Sequence, residues 1–326
     1  MKLPHRRHFL HLATGAAALP AASRMGGAQT YPSRPVRIIV GFAAGTALDI
    51  TARIVAQSLS ERFGQPFIVE NRPGAAGNIG TDVVAKSSPD GQTLLLVSSS
   101  NATNATLFEN LNFNFIRDIA PISSIARAQF VVLVKPSMPA KTLSEFIAYA
   151  KVNPGKISMG SNGTGSGGHI AGVLFMQTTN VSMVHVPYRG GSGLLTDLIG
   201  GQLDVVFDAM SSSIGHVRAG RLLALAVTGA TRAEVLPDVP TVGEFAPGYD
   251  YSVWNGLGAP KGTPAGIVEK LNREIRTVLA EPTVKARFAD LGYSMFPSSP
   301  AEFGKHVAGE TEKWARVIRA ANIKPE

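Results

Sequence analysis

Short, unbroken apolar runs alternate with helix-patterned segments along almost the whole chain, and this alternation restricts the fold more than any other feature. Val36-Arg37-Ile38-Ile39-Val40, Thr93-Leu94-Leu95-Leu96-Val97 and Phe130-Val131-Val132-Leu133-Val134 are too short for buried helices and too apolar for one-sided strands. Such strands suit a parallel sheet covered on both faces, and parallel strands need long crossovers, usually helices. The first run breaks into Gly41-Phe42-Ala43-Ala44-Gly45-Thr46-Ala47-Leu48-Asp49, and Ile50 to Arg62 reads as a helix. A strand that turns on small residues into a helix leaves backbone N–H groups free at its positive end, which suits an anion. An ordinary βα turn with small residues for close packing explains the same stretch by itself. No Gly-Lys-Ser/Thr follows, which excludes a phosphate-cradling P-loop.

The remaining elements follow in order. Residues 66–70 read as a strand, 71–78 as a turn-rich loop, and a helix begins at 81–86. The strand at 93–97 ends in Ser98-Ser99-Ser100-Asn101. A second series starts at 130–134, with a helix at 142–151 opened by a Thr142/Glu145 capping box. A strand at 156–160 runs into Ser161-Asn162-Gly163-Thr164-Gly165-Ser166-Gly167-Gly168, and a helix spans 169–178. Further strands are expected at 183–186, 203–208 and 222–227, with a turn at 187–191 and a helix at 194–199. From Ala259 the chain reads as helical: Thr263 as N-cap with Pro264 at N1, a helix to Ala280, another at 282–291, and a Ser299/Glu302 box opening a last helix to Ala321. The strand–glycine loop–helix device thus occurs at 36–49 and again at 156–178. Two sheets, each offering one such loop to a shared cleft, give domains of 31–126 plus 255–326 and of 127–254.

Residues 1–28 stand apart from this pattern. Met1 to Leu10 is basic, Phe9 to Leu19 is a short apolar stretch, and Gly26-Gly27-Ala28 offers small residues for cleavage before Gln29. This is an export signal, too short to stay as a membrane span. Arg6-Arg7 followed by Phe9-Leu10 looks like a twin-arginine leader, with a Sec leader as the alternative. The segment holds Lys2, Arg6, Arg7 and Arg24 and no acid, so its removal lowers the formal charge from +8 to +4. That falls short of the dense basic patch of a nucleic-acid binder. A composition 44% hydrophobic and 17% charged argues for a folded chain rather than a disordered one, and the absence of cysteine excludes disulfides and thiolate metal sites.

Gly163 to Gly168 matches G-x-G-x-x-G, but no acid ends the following strand, as a dinucleotide site would require. The loop still offers donors that suit a carboxylate. His169 reads equally as a first-turn residue packed on its loop and as a donor at a cleft edge. His185 alternates with apolar residues and reads as structural. The histidines after the leader, at 169, 185, 216 and 306, are isolated in sequence, so neither a metal nor a cofactor is expected. There is no Gly-x-Ser-x-Gly elbow. Asp49 can fix its own turn or receive a ligand amine. Asp204 and Asp208 end strands, Arg189 can pair with a carboxylate or remain a surface cation, and Trp254 and Trp314 read as packing residues.

These residues together resemble the Bug receptors, the substrate-binding proteins of tripartite tricarboxylate transporters. The marks are Val40-Gly41-Phe42-Ala43-Ala44-Gly45 with Asp49, Glu70-Asn71-Arg72-Pro73-Gly74-Ala75-Ala76-Gly77, the loop at 160–169, Val186-Pro187-Tyr188-Arg189-Gly190 and Leu236-Pro237-Asp238-Val239-Pro240-Thr241. The resemblance implies a periplasmic binding protein of the type II-like α/β kind, with two α/β domains around a ligand cleft, joined by crossing strands. It implies a monomer that closes on a small carboxylate and hands it to membrane transporter subunits, with no catalysis. It places ligand contacts at Phe42, Ala44, Gly45, Thr46, Asp49 and Ser98 in the first domain, and at Ser161, Thr164, Ser166, His169, Tyr188, Arg189 and Asp208 in the second. The family's first loop usually reads Gly-Phe-Pro-x-Gly-Gly; Ala43 and Thr46 depart from it, and Gly167-Gly168 replaces a less flexible pair. A ligand-sensing subunit for a membrane kinase, or an exported enzyme, would use the same cleft.

Overall fold

The computed structural model describes residues 31–188 and 193–324, so the expected leader at 1–28 and Arg189 lie outside the described residues. In chain order the elements are β1 (Val36–Val40), α1 (Ala47–Phe63), β2 (Phe67–Asn71), α2 (Asn78–Ala85), β3 (Thr93–Ser98), α3 (Ser99–Leu107), α4 (Phe115–Asp118) and β4 (Ile119–Val134). There follow α5 (Leu143–Val152), β5 (Ser158–Ser161), α6 (Gly167–Thr179), β6 (Val184–Pro187), α7 (Leu194–Ile199), β7 (Val205–Ala209), α8 (Met210–Arg218) and β8 (Leu223–Val227). The chain closes with β9 (Ser252–Pro260), α9 (Ala265–Ala280), α10 (Pro282–Asp290), β10 (Ser294–Met295) and α11 (Pro300–Ala320).

The strands form two sheets that share β4. In the first, β2, β1 and β3 are parallel, β9 lies antiparallel between β3 and β4, and β10 flanks β4 on its far side. In the second, β6, β5 and β7 are parallel, and β4 runs antiparallel between β7 and β8. The sixteen-residue β4 therefore crosses from one sheet to the other. Its pairing with β9 ends at Gln129, and its pairing with β7 begins at Phe130. The sheets are mixed rather than wholly parallel as the sequence predicts, because β4 and β9 run against their neighbours. Sequence reading also misses β9, the first half of β4, α3 and α8.

The apolar strands are covered on both faces. Ile38, Val40, Leu94, Leu96 and Leu257 pack with Ile275 of α9 and Phe288 of α10. Ile39, Leu95 and Val97 are buried on the other side with Phe303 and Trp314 of α11. The β4–β9 register slips at Pro121/Ser123 and again at Ser124/Ala126. A bulge leaves backbone groups out of the ladder. Here Asn272 of α9 donates to the Ile122 carbonyl at 2.8 Å, and the Ser124 N–H donates to Ser298 Oγ at 3.3 Å. Of the expected caps, Ser299 and Glu302 form the box that opens α11. Thr263 does not cap α9; its hydroxyl donates to the Pro260 carbonyl, and the helix starts after Pro264 without a side-chain cap.

Candidate functional site

The first loop is built by close packing and one carboxylate. A Cβ on Gly41 would stand 2.7 Å from the Gly77 Cα, so only glycine lets β1 end against the 75–77 turn. Thr46 is the N-cap of α1, accepting from the Asp49 N–H at 3.4 Å, while its hydroxyl donates to the Ala43 carbonyl at 2.8 Å. The buried Asp49 accepts from the Gly45 N–H, from Arg53 Nε and from Asn71 Nδ2, each at 2.9 Å. Asn71 Nδ2 also donates to the Phe42 carbonyl at 3.0 Å. Burial alone would raise the Asp49 pKa, but the hydrogen bonds from Arg53, Gly45 and Asn71 and the Arg53 charge outweigh it and hold the carboxyl below its usual range. Of the two roles open to Asp49, the structure shows the fastening of its own loop. Phe42 is half-buried, whereas Ala44 and Gly45 are exposed at the loop's tip.

The second loop is organised by two histidines. β5 and β6 are parallel neighbours with Met159 opposite His185, so His185 reaches across to the end of β5. Its Nε2 lies 2.7 Å from the Oγ of the buried Ser161, which also accepts from the Gly163 N–H at 3.3 Å. Ser166 is the N-cap of α6, and the Gly165 N–H donates to His169 Nδ1 at 3.0 Å. The His169 and His185 rings stack. Residues isolated in sequence are thus adjacent in space, with His169 packed on its own loop and His185 structural. Among the described residues no group of three or more metal-ligating side chains forms. A Cβ on Gly167 would meet Phe130 and the Tyr251 hydroxyl, both at 2.8 Å, and one on Gly168 would meet the Phe207 carbonyl oxygen at 2.4 Å. The double glycine therefore reflects crowding.

The other predicted residues sit around this loop. Thr164 is half-buried within it. Tyr188 donates its hydroxyl to Asp197 Oδ2 at 2.6 Å, and that hydrogen bond, with burial, pushes the phenol up to about 12. Asp208 ends β7 and is buried; burial raises its pKa, although hydrogen bonds from Ser212, Ala209 and Ser213 oppose the rise. Ser98 closes β3, and its N–H donates to Asn101 Oδ1 at 2.9 Å.

The two lobes meet at a small cavity of about 60 Å³. Ser99, Ser100 and Thr103 of α3 line it from the first lobe, and Gly165, Gly167 and Ile170 from the second. Tyr251, Ser252 and Val253, where the chain passes back between the sheets, close it together with Trp314 of α11. Residues 42–49 do not line it. The α3 hydroxyls escaped sequence reading; the one available signal was the serine run that ends β3. A larger cavity of about 110 Å³ lies inside the first lobe under α11, but its lining side chains, such as Phe115, Ile119 and Phe303, are all apolar and would orient no ligand.

Two α/β lobes that share a crossing strand and turn helix-opening loops toward one cavity define a two-lobed solute-binding protein. The chain belongs to the tripartite tricarboxylate transporter receptor family, whose profile, described as "Tripartite tricarboxylate transporter family receptor", matches residues 51–323. It is 35% identical to Protein BugT of Bordetella pertussis over 97% of this chain and 96% of that one. Among solved structures, it is similar to Rpa4515 of R. palustris with adipate, at 33% identity and a TM-score of 0.77 over 91% of this chain and 100% of that one. It is also similar to MatC of Rhodopseudomonas palustris with bound malate, at 30% identity and a TM-score of 0.72 over 88% and 100%. Among the described residues no helix is long and apolar enough to cross a membrane.

Proposed function

We propose that this chain is a periplasmic receptor that captures a small organic carboxylate by closure of its two lobes and delivers it to membrane subunits of a tripartite tricarboxylate-type transporter. The observation that carries the reading is the convergence of the openings of α3 and α6, one from each lobe, on a single cavity. Backbone N–H groups and hydroxyls there suit a carboxylate. The bound adipate and malate of the two similar structures support the same ligand class. The lobes of this reading are residues 31–126 plus 255–326 and residues 127–254. They hinge where β4 changes partners and where the chain returns ahead of β9. Phe42, Ala44, Gly45, Thr46 and Asp49 form the rim on one side, and Ser161, Thr164, Ser166, His169, Tyr188, Arg189 and Asp208 the rim on the other. Residues 1–28 serve as the export leader, of twin-arginine or Sec type, and the receptor acts as a monomer.

No catalysis is assigned. Ser161 and His185 lie at the distance of a nucleophile and its base, but the serine is fully buried and its oxygen holds the loop's own backbone. Calorimetric titration with di- and tricarboxylates, acidic amino acids and aromatic acids tests the receptor reading: at least one binds without turnover on prolonged incubation. Binding of none refutes it, and conversion of a bound acid would establish an enzyme instead.

A further inference from the structure

Two cavities share a wall at residues 250–254. Tyr251 and Val253 line the cavity between the lobes, Asp250 and Trp254 line a second cavity, and Ser252 borders both. Side chains alternate in direction along an extended chain, which puts the two cavities on opposite sides of it. In the second cavity His306 of α11 meets two rings edge-to-face, Trp254 at 4.9 Å and Phe296 at 5.1 Å between centroids. Its Nε2 is buried and has no hydrogen-bond partner among the described residues. Four charged side chains share this cavity: Glu310 and Lys313 from α11, Arg127 from β4, and Asp250 from the segment ahead of β9. Burial holds the imidazole below its ordinary pKa; Glu310 and Asp250 pull it up, while Lys313 and Arg127 push it further down.

Glu310 connects this cavity to the other. It stands four residues after His306, on the same face of α11. Its Oε2 accepts from Trp314 Nε1 at 2.8 Å and from Trp254 Nε1 at 3.3 Å, and its Oε1 accepts from Lys313 at 3.3 Å. Trp314 lines the cavity between the lobes, so this one carboxylate fastens a wall of that cavity from behind.

We propose that His306 is a proton-operated release for the Trp314 wall of the ligand cavity. Neutral, the ring packs against Trp254 and Phe296 and leaves Glu310 to the indoles. Charged, both of its nitrogens are donors, and a buried N–H without an acceptor is costly. The Glu310 carboxylate, one helical turn away, turns to the imidazolium and gives up the indoles. Trp314 then loses its fastening, and acid loosens the hold on a ligand. By reciprocity, a ligand that needs the wall in place expels the proton. The effect on ligand rests on the receptor reading above; the effect on Trp314 does not.

Trp254 and Trp314 are the only tryptophans of the chain, so indole emission reads the state of Glu310. The full chain without ligand is titrated from about pH 7.5 to about pH 5, the range over which histidines charge. Emission shifts in one reversible step, centred below the ordinary histidine value of about 6.5, while far-UV circular dichroism stays constant. His306→Phe keeps a ring against Trp254 and abolishes the step; if that variant does not fold, His306→Gln, neutral at every pH, abolishes it too. Adipate and malate are then titrated calorimetrically into wild type and variant at both ends of the range. Once the change seen in the variant is divided out, wild type binds them about fivefold more weakly at the acid end, the low end of ordinary coupling between two sites. No emission step, or a step that survives in the variant, overturns the proposal and leaves the receptor reading standing. A step without a change in affinity overturns the link to the ligand. A step with no binding of either acid, or of the wider panel, overturns the receptor reading and leaves the release of Trp314 standing.

Discussion

His169 and His185 lie face to face, their ring centroids 3.8 Å apart and their planes 6° from parallel. One ring comes from the first turn of α6 and the other from β6, and their outer nitrogens hold opposite ends of the same loop. His169 Nδ1 takes the Gly165 N–H, and His185 Nε2 meets Ser161 Oγ. The stack is a clamp on residues 161–169, and the shape of that loop depends on it.

Replacing His185→Phe keeps a ring against His169 but removes one partner of Ser161, whose oxygen retains its bonds to Gly163. About 1 kcal/mol of stability is lost, the ordinary worth of one such hydrogen bond. Ligand affinity falls several-fold as the loop loosens. Urea denaturation and calorimetry on the same preparation check both effects; unchanged affinity would show that the loop keeps its shape without the clamp.

Asp49→Ala removes the acceptor of three hydrogen bonds in the first loop and leaves the Gly45 N–H without it. Stability falls by about 1–3 kcal/mol. The pH dependence has a definite sign. The folded-state pKa of Asp49 is depressed, so its contribution is present above the unfolded carboxyl pKa and is lost as the pH falls through the folded value. Denaturation midpoints measured from neutral pH into the acid range therefore fall more steeply for wild type than for Asp49→Asn.

Gly168→Ala sets a methyl 2.4 Å from the Phe207 carbonyl oxygen, which is backbone and does not swing aside. The expected loss is about 1–3 kcal/mol, as for overpacking elsewhere. Gly45→Ala is the informative contrast. Nothing stands within 4 Å of its Cβ, yet its φ of +82° disfavours a side chain, so the loss is about 1 kcal/mol and purely conformational. Thermal melts that rank the two in the opposite order would contradict this account.

Glu310 holds both tryptophans of the chain through one oxygen. Glu310→Ala leaves two buried indole N–H groups without their acceptor and costs about 2–3 kcal/mol. Glu310→Gln retains an acceptor and recovers much of that. Indole emission reports the change directly: it shifts to longer wavelength in Glu310→Ala and stays near the wild-type position in Glu310→Gln.

Much of the architecture is readable from residue order. β1, β3, α6 and α11 announce themselves by apolar runs or caps. α3 does not, because Ser99 to Leu107 is rich in serine, asparagine and threonine, residues that favour turns. It is held instead by tertiary bonds, Asn101 Nδ2 to Thr81 Oγ1 at 2.8 Å and Asn104 Nδ2 to the Ala76 carbonyl at 2.9 Å. β9 hides for a related reason. Gly256 and Gly258 look like turn residues, yet a Cβ on Gly256 would meet Phe303 at 2.4 Å, and one on Gly258 would meet Ile119 at 2.6 Å. The histidine stack was likewise invisible, because it depends on which strands become neighbours. In each case the deciding contact lies far away along the chain.

The position of β9 sets an order of assembly. It fills the middle of the first sheet, between β3 and β4, but is made after every strand of the second. The second lobe is a nearly continuous stretch and has all its strands once β8 is in place. The first must wait with the facing edges of β3 and β4 unpaired, the kind of exposed ladder that invites wrong partners. A chain cut short before Ser252 would keep both glycine-rich loops and Tyr251 and still lack Ser252, Val253 and Trp314, which close the cavity behind them. Capture of a ligand is thus the last property that the growing polypeptide acquires.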